Sequence, residues 1–463
     1  MALHTHDPSE ADDDLVSIRP QFAQFGLVGT VPKLRLPDKG MPPSIAYQVV
    51  HDELLLDGAV RLNLATFVTT WMEPEAELLF AECSAKNMID KDEYPQTAEL
   101  ERRCVNMIAH LWHAPEDGEA TGCSTTGSSE ACMLAGLALL HRWRARTAHR
   151  GGDRPPPNLV LGANAQVCWE KFCRYFDVEA RLVPVSAEAP YLTAETALAH
   201  CDASTIGVVA ILGSTYDGSY EPVKEIAAAL DQLQASEGLD IPVHVDAASG
   251  GFIAPFLDAE LEWDFRLERV QSINASGHKF GLVYPGVGWA VWRDAAALPD
   301  ELVFKVDYLG GEMPTFTLNF SRPGAQVVGQ YFNFLRLGIQ GYRDVQAASR
   351  KTATWLSGAI GEAGPFTLLS RGDNIPAFAF RLTDPGGFTV YDLSDELRTR
   401  GWIVPAYTMP PAIEDIAVLR VVVRNGFSPD MAALFLSDLK TGVERLTRRG
   451  GGLSDEERTG FHH

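Results

Sequence analysis

The chain has 463 residues, of which 46% are hydrophobic and 22% charged, a composition typical of globular proteins and unlike that of disordered, collagenous or coiled-coil chains. Its 39 basic and 61 acidic residues give a formal net charge of −22. No surplus of Lys and Arg is therefore present to neutralise phosphates, and no nucleic-acid partner is expected. The longest apolar stretch is far shorter than the roughly 20 residues that span a bilayer, and the first residues do not resemble a signal peptide. We expect a cytoplasmic protein without stable membrane insertion, and association with a membrane at low pH is left open.

The seven cysteines include no Cys-x-x-Cys pair. An odd number of cysteines in a chain of the cytosol indicates reduced thiols that pack as small hydrophobic side chains. No metal site is predicted.

The N-terminal and central parts of the chain differ in pattern. Residues 1–60 are polar, acidic or rich in Pro and Gly, and predict an N-terminal arm that contains one helix over 45–56. Further on, helical periodicity alternates with short apolar, β-branched runs, which predict strands buried on both faces and thus a mostly parallel sheet. We assign these elements to a large α/β domain over residues 61–345. Helices are predicted over 97–112, 129–146, 166–176, 222–234 and 325–337, and strands over 158–161, 181–185, 205–212, 241–245, 270–275 and 287–292.

The last part of the chain alternates again and predicts a smaller C-terminal α+β domain over residues 346–463, with a flexible tail. Its helices are predicted over 351–360, 390–400 and 430–446, and its strands over 377–382, 402–405 and 416–424.

Polar side chains follow three of the predicted strands. Asp246 comes after the strand over 241–245, His278 and Lys279 after that over 270–275, and Thr215 after that over 205–212. Binding sites of open parallel sheets form at these carboxyl ends. The small residues 126–129 open a long predicted helix, whose exposed amides and positive end suit a phosphate.

Each motif alone has a simpler interpretation as a helix cap, a turn or a solvated lysine. Together, however, a phosphate cradle, a carboxylate and a lysine are the parts that pyridoxal 5′-phosphate requires. Lys279 would form the Schiff base, Asp246 would keep the pyridine nitrogen protonated, and the helix terminus would hold the phosphate.

Long segments extend this interpretation into a resemblance. NLATF (63–67), TTGSSEACMLAGLALLHRWR (125–144), HVDAASGGFIAPF (244–256) and WDFRLERVQSINASGHKFGLVYPGVGWAVWR (263–293) resemble the group II pyridoxal-phosphate-dependent amino-acid decarboxylases, and specifically bacterial glutamate decarboxylase. The resemblance implies a fold-type I architecture with a mostly parallel seven-stranded sheet. It also implies decarboxylation of L-glutamate to 4-aminobutanoate and CO2, which consumes a proton and serves acid resistance or glutamate metabolism.

The resemblance assigns cofactor contacts residue by residue. Lys279 would hold the cofactor, Asp246 its ring nitrogen, and Thr215 would lie beside its 3′-oxygen. Ala248 would pack on the ring, and Gln166 stands where relatives acting on aromatic amino acids carry a stacking histidine. The phosphate contacts would come from His278, Ser128, Ser129 and Ser276, with Ser321 supplied by the neighbouring subunit.

Substrate contacts follow in the same way. Arg420 matches the arginine that pairs with the α-carboxylate of the substrate, although as a lone residue it reads as a charge at a strand end. The pocket for the distal carboxylate, part of it from the partner subunit, would comprise Thr66, Phe67, Asn87, Asp90 and Phe320. One of the two carboxyl groups must carry a proton where Asp90 faces the substrate, because two like charges cannot both ionise at close range. The simpler interpretation of Asp90 is an acid near a helix start.

The resemblance also implies partners and regulation. The chain would form at least a homodimer and in bacterial relatives a hexamer, a trimer of dimers, and it lacks the Trp-containing basic helix of calmodulin-regulated relatives. His463 stands where relatives have a histidine that blocks the active site, but His462 replaces their penultimate lysine, so a mere tail remains an alternative. Asp12, Asp13 and Asp14 would order only when protonated.

Three alternatives remain open. The first is a decarboxylase of an aromatic amino acid or histidine, against which Gln166, Asp90 and the NLATF segment argue. The second is another reaction on the same scaffold, such as aminotransfer or carbon–carbon lysis. The third is a binding protein that has kept the fold, although such a protein is expected to lose Lys279 or Asp246.

Overall fold

The fold was analysed in a computed structural model that describes residues 32–115, 119–148, 156–306, 313–383 and 387–449. The helices are α1 (Pro43–Leu54), α2 (Pro74–Cys83), α3 (Pro95–Leu111), α4 (Ser128–Thr147), α5 (Val167–Tyr175), α6 (Ala194–Leu198), α7 (Val223–Glu237), α8 (Ala254–Leu257), α9 (Ala325–Glu362), α10 (Val390–Arg398) and α11 (Pro429–Arg449). The strands are β1 (Thr121–Thr125), β2 (Asn158–Gly162), β3 (Glu179–Val183), β4 (Thr205–Ile211), β5 (Val243–Asp246), β6 (Val270–Ala275), β7 (Gly288–Trp292), β8 (Phe304–Val306), β9 (Met313–Thr315), β10 (Phe366–Leu368), β11 (Ala377–Leu382), β12 (Ala406–Thr408) and β13 (Ala417–Val422).

The larger sheet has seven strands in the order β1-β7-β6-β5-β4-β2-β3. Strands β6, β5, β4, β2 and β3 run parallel, whereas β7 is antiparallel to both of its neighbours. Every residue of β4 is buried, as expected for an apolar, β-branched strand covered by helices on both faces. The predicted α/β fold with a mostly parallel seven-stranded sheet is confirmed. Its register sets Asp246 beside Asn274 of β6 and Ile211 of β4, at one edge of the sheet.

The smaller sheet is antiparallel, in the order β10-β11-β13-β12. Its apolar face packs with α10 and α11 in a separate hydrophobic cluster that contains Phe378, Phe380, Trp402 and Phe435. Leu64 joins this cluster from the N-terminal part of the chain. The boundaries of the two predicted domains stay a prediction.

Several predicted elements have different limits in the structure. The helices predicted over 325–337 and 351–360 are parts of α9, which is bent at Gly338 with φ 55° and ψ −169°; glycine adopts this backbone conformation without a Cβ clash. The strand predicted over 402–405 is wrong, because Ile403 there makes a single bridge to Asn63 and the strand β12 begins only at Ala406. The predictions for Asp12, Asp13, Asp14 and His463 lie outside the described residues.

Among the described helices, none combines the length and the apolar character needed to cross a bilayer.

Candidate active site

A cavity of about 400 Å³ opens at the carboxyl ends of β4, β5 and β6, within the size range of small-molecule sites. The first turns of α4 and α5 complete its wall. The structure brings nine of the predicted cofactor residues together in the lining: Ser128, Ser129, Gln166, Thr215, Asp246, Ala248, Ser276, His278 and Lys279.

Asp246 is buried at the end of β5, and N–H donors hold its carboxylate on both oxygens. Trp169 Nε1 donates to Oδ2 at 2.8 Å, while Asn274 Nδ2 and the backbone N–H of Ala248 donate to Oδ1 at 3.0 and 3.2 Å. These bonds fix the orientation of the carboxylate relative to the cavity. The Sγ atom of Cys132 lies 3.7 Å from Oδ2.

Lys279 reaches the same cavity from the segment that follows β6. Its Nζ atom donates to Ser249 Oγ at 3.3 Å and lies 5.4 Å from the ring centre of Phe67. Burial lowers the pKa of Lys279, and the negative charge of Asp246 only partly opposes that shift. A lowered pKa increases the fraction of uncharged amine, which is the nucleophilic form.

Two serine hydroxyls meet at the start of α4. Ser128 Oγ and Ser276 Oγ are 2.7 Å apart, and none of the side chains that the structure describes caps the first turn of this 20-residue helix. The free N–H groups and the positive end of the helix favour an anion. A Cβ at Gly288 of β7 would lie only 2.8 Å from Ser128 N, so glycine is required for this close approach.

His278 borders the same part of the cavity. Burial, together with the neighbouring charge of Lys279, lowers the pKa of His278 to about 4. Its Nδ1 atom accepts a hydrogen bond from the backbone N–H of Val287 at 3.3 Å. At neutral pH the imidazole is therefore uncharged.

Gln166 is the N-cap residue of α5, and its Oε1 atom accepts a hydrogen bond from the N–H of Cys168 at 2.6 Å. Its predicted position beside a cofactor ring stays a prediction.

Arg420 of β13 lies beside this cavity and is buried. Its Nη1 and Nη2 atoms donate to the carbonyl oxygens of Thr215 and Ala65 at 2.5 and 2.7 Å. The guanidinium carbon lies 4.6 Å from the ring centre of Phe67. Within the described part of the chain, Nε has no hydrogen-bond partner, so a buried donor is left beside the cavity for an acceptor such as a carboxylate.

Some predicted substrate residues do not line the cavity. Asn87 Nδ2 donates to Ser321 Oγ at 3.3 Å, and Phe320, next to Ser321, is 41% exposed. Neither these three residues nor Asp90 and Thr66 are among those that line the cavity. Phe67 and Arg420 also stand outside this lining, but both contact residues at its border, whereas Asn87 and Ser321 contact each other.

Several residues of this site were missed by the sequence analysis. Trp169 and Asn274 hold Asp246, and Ser249 contacts Lys279. A sequence signal for these residues was present in β5 and β6, where the polar residues His244 and Asn274 interrupt apolar strands. In the structure, His244 Nε2 and Asn274 Oδ1 form a hydrogen bond of 2.7 Å. A polar residue in a buried strand needs a partner of this kind.

The residues fit pyridoxal 5′-phosphate, since one cavity joins a buried amine, a fixed carboxylate and an uncapped helix terminus with paired hydroxyls. Such a site defines the class of pyridoxal-phosphate-dependent enzymes. Residues 38–383 match the pyridoxal-dependent decarboxylase conserved domain. The chain belongs to the pyridoxal-dependent decarboxylase family. This confirms the predicted cofactor, pyridoxal 5′-phosphate, and the family to which the sequence was assigned by resemblance.

Individual relatives agree with this assignment. The chain is 52% identical to glutamate decarboxylase of Aliivibrio fischeri over 99% of both chains. It is 46% identical to glutamate decarboxylase beta of Listeria monocytogenes, over 96% of this chain and 97% of the relative. The solved structure of Lactobacillus brevis glutamate decarboxylase superposes with a TM-score of 0.90 at 47% identity, covering 93% of this chain and 98% of that one.

Proposed function

We propose that the chain is a glutamate decarboxylase that converts L-glutamate to 4-aminobutanoate and CO2 and takes up one proton per turnover. The observation that carries this function is that Lys279, Asp246 and the Ser128–Ser276 pair line the same cavity, with Arg420 beside it. Relatives named glutamate decarboxylase, one of them 52% identical along nearly the whole chain, support the choice of substrate.

Different residues of the cavity would bind different parts of the cofactor. Lys279 would attach the cofactor through its ε-amine, Ser128, Ser276 and neutral His278 would bind its phosphate, and Asp246 would stabilise a proton on its ring nitrogen. When bound, pyridoxal phosphate accepts the electron pair that the departing CO2 leaves on the α-carbon.

Arg420 would orient the α-carboxylate, because a guanidinium fork fixes a carboxylate in direction as well as in position. This orientation decides which bond of the α-carbon breaks. Phe67, which packs against both Arg420 and Lys279, would shape the space between them.

The predicted substrate and phosphate residues outside the cavity lining are the reason to propose an oligomer. We propose at least a homodimer, as part of a hexamer, in which Asn87, Asp90, Phe320 and Ser321 complete the cavity of the neighbouring subunit. Their absence from the lining of their own chain's cavity supports this arrangement. A cytoplasmic location and the division into domains over 61–345 and 346–463 belong to the same proposal.

Product analysis tests the function. The purified holoenzyme is expected to release CO2 and 4-aminobutanoate from L-glutamate in equal amounts, with uptake of one proton and without formation of a keto acid. L-Aspartate, L-histidine and L-tryptophan are tested in parallel as competing candidate substrates. Keto-acid formation would indicate an aminotransferase, preference for an aromatic substrate would indicate another decarboxylase, and no turnover would contradict the proposal.

Arg420→Lys tests the assigned recognition of the α-carboxylate. We expect kcat/KM for L-glutamate to fall roughly 10- to 100-fold, because lysine keeps the charge but loses the fork, and a hydrogen bond to a charged group is worth about 1.5–3 kcal/mol. The exposed Arg448, which pairs with Glu444, gives the matched control Arg448→Lys. Equal kinetics of the two variants would contradict the role of Arg420.

A further inference from the structure

The segment from Asn63 to Thr70, here called the strap, connects the smaller sheet to the catalytic lysine. We propose that Thr69 and Arg424 are positioning residues, which anchor the strap and thereby set the environment of Lys279 and the position of Phe67. The part of this inference that concerns substrate affinity rests on the proposed function.

Thr69 anchors one end of the strap to the segment that carries Lys279. Its backbone N–H donates to the carbonyl of His278 at 2.7 Å, and its hydroxyl donates to the carbonyl of Lys279, also at 2.7 Å. Thr69 is 5% exposed. Two successive carbonyls at the catalytic lysine are thus held by one buried residue.

Arg424 anchors the strap from the smaller sheet. Its Nη1 atom donates to the Val68 carbonyl at 3.2 Å and to Thr70 Oγ1 at 2.6 Å, and its Nη2 atom donates to the carbonyls of Asn63 and Val60. All four acceptors lie on the strap or just before it.

Among the described residues, no carboxylate pairs with the buried charge of Arg424. The residue is 7% exposed, and no acidic side chain in the described part of the chain forms an ion pair with it. Burial lowers the pKa of Arg424 to about 10, so the guanidinium is still cationic at neutral pH. A buried cation is costly unless its donors are satisfied. In the described part of the chain Nε has no partner, but both Nη atoms donate to oxygens of the strap and of Val60, which links the stability of this charge to the position of the strap.

Substrate-side residues lie between the two anchors. The carbonyl of Leu64 accepts a bond from the N–H of Val422 at 2.9 Å, and that of Ala65 accepts from Arg420. Phe67 follows, and its ring centre lies 4.6 Å from the guanidinium carbon of Arg420 and 5.4 Å from Lys279 Nζ. A shift of either anchor would therefore move Phe67 relative to both groups.

Three variants test the anchors in the holoenzyme. Thr69→Val keeps the shape of the side chain and the backbone bond to the His278 carbonyl, but removes the hydroxyl bond to the Lys279 carbonyl. Arg424→Lys keeps the charge but cannot reach all four acceptors, and Arg424→Met removes the charge. Arg350→Lys is the matched control, since Arg350 also binds a carbonyl and a carboxylate, those of Asn374 and Asp258.

Two readouts separate positioning from general stability. We expect Arg424→Lys to raise KM for L-glutamate roughly tenfold with kcat changed less than about threefold. We expect Thr69→Val to shift the pH midpoint of the cofactor's absorption by roughly half a unit or more. In the double variant Thr69→Val/Arg424→Lys, the change in KM should differ from the product of the changes in the two single variants, because both residues hold one segment.

The outcomes are distinguishable. Unchanged KM and unchanged spectral midpoint in folded variants would overturn the inference, as would a parallel change in Arg350→Lys. If Arg424→Met does not fold, Arg424→Lys and Thr69→Val still give the result. The spectral midpoint requires no turnover, so it tests the anchors even if L-glutamate is not the substrate.

Discussion

Replacing Lys279 with alanine is expected to lower kcat by roughly 10⁴-fold or more, as when the nucleophile of a covalent catalyst is removed. The fold should persist, because the loss of the bond to Ser249 Oγ removes a contact worth about 1 kcal/mol. The measurement is CO2 release from L-glutamate, together with thermal unfolding followed by circular dichroism.

Lys224→Ala is the matched control, since Lys224 is an exposed lysine paired with Glu262 at 3.0 Å, and its kinetics should not change. Borohydride reduction of the native holoenzyme, followed by peptide mapping, should place the cofactor on Lys279. A label on another lysine, or turnover by Lys279→Ala within tenfold of the native rate, would contradict the assignment.

The second large effect is expected for Asp246→Asn, which removes the negative charge at nearly constant volume. An ion pair at about 4 Å and an effective dielectric near 20 is worth about 4 kcal/mol, which corresponds to roughly a 10³-fold loss in kcat. The amide also places an NH2 group among the donors of Trp169 and Asn274. Binding of the cofactor should therefore weaken as well, and both quantities can be measured, kcat by product formation and cofactor affinity by absorption.

Asp264→Asn controls for the loss of a buried charge. Asp264 is 1% exposed and bonds Arg266 and His113, but it does not line the cavity. We expect this variant to lose stability and to keep its kcat. Near-native turnover by Asp246→Asn would remove Asp246 from the stabilisation of the ring proton.

The cofactor side of the cavity could be predicted because its signals are local. Asp246 and Lys279 each follow a strand that can be recognised from its apolar run, and the topology of parallel sheets brings such ends together. The roles of Thr69 and Arg424 could not be predicted in this way. Thr69 is 210 residues from Lys279 and Arg424 is 361 residues from Asn63, and no pattern in either segment points to the other.

Tertiary contacts also explain the smaller errors. Ile403 lies in an apolar run that predicts a strand, but its backbone bonds Leu62 and Leu64 of a distant segment and so forms only a bridge. A strand end is predictable from its own residues, whereas a bridge between segments is not.

The contacts of Arg420 and Arg424 with the strap have a consequence for biosynthesis. The amine, carboxylate and hydroxyl groups that line the cavity all lie at or before residue 279, whereas Arg420 and Arg424, which hold the strap, come from the last strand of the smaller sheet and the residues after it. Since chains emerge N-terminus first, the residues of the cofactor side are synthesised well before those that hold the strap, so the centre is finished only when the smaller sheet folds back onto the N-terminal part of the chain.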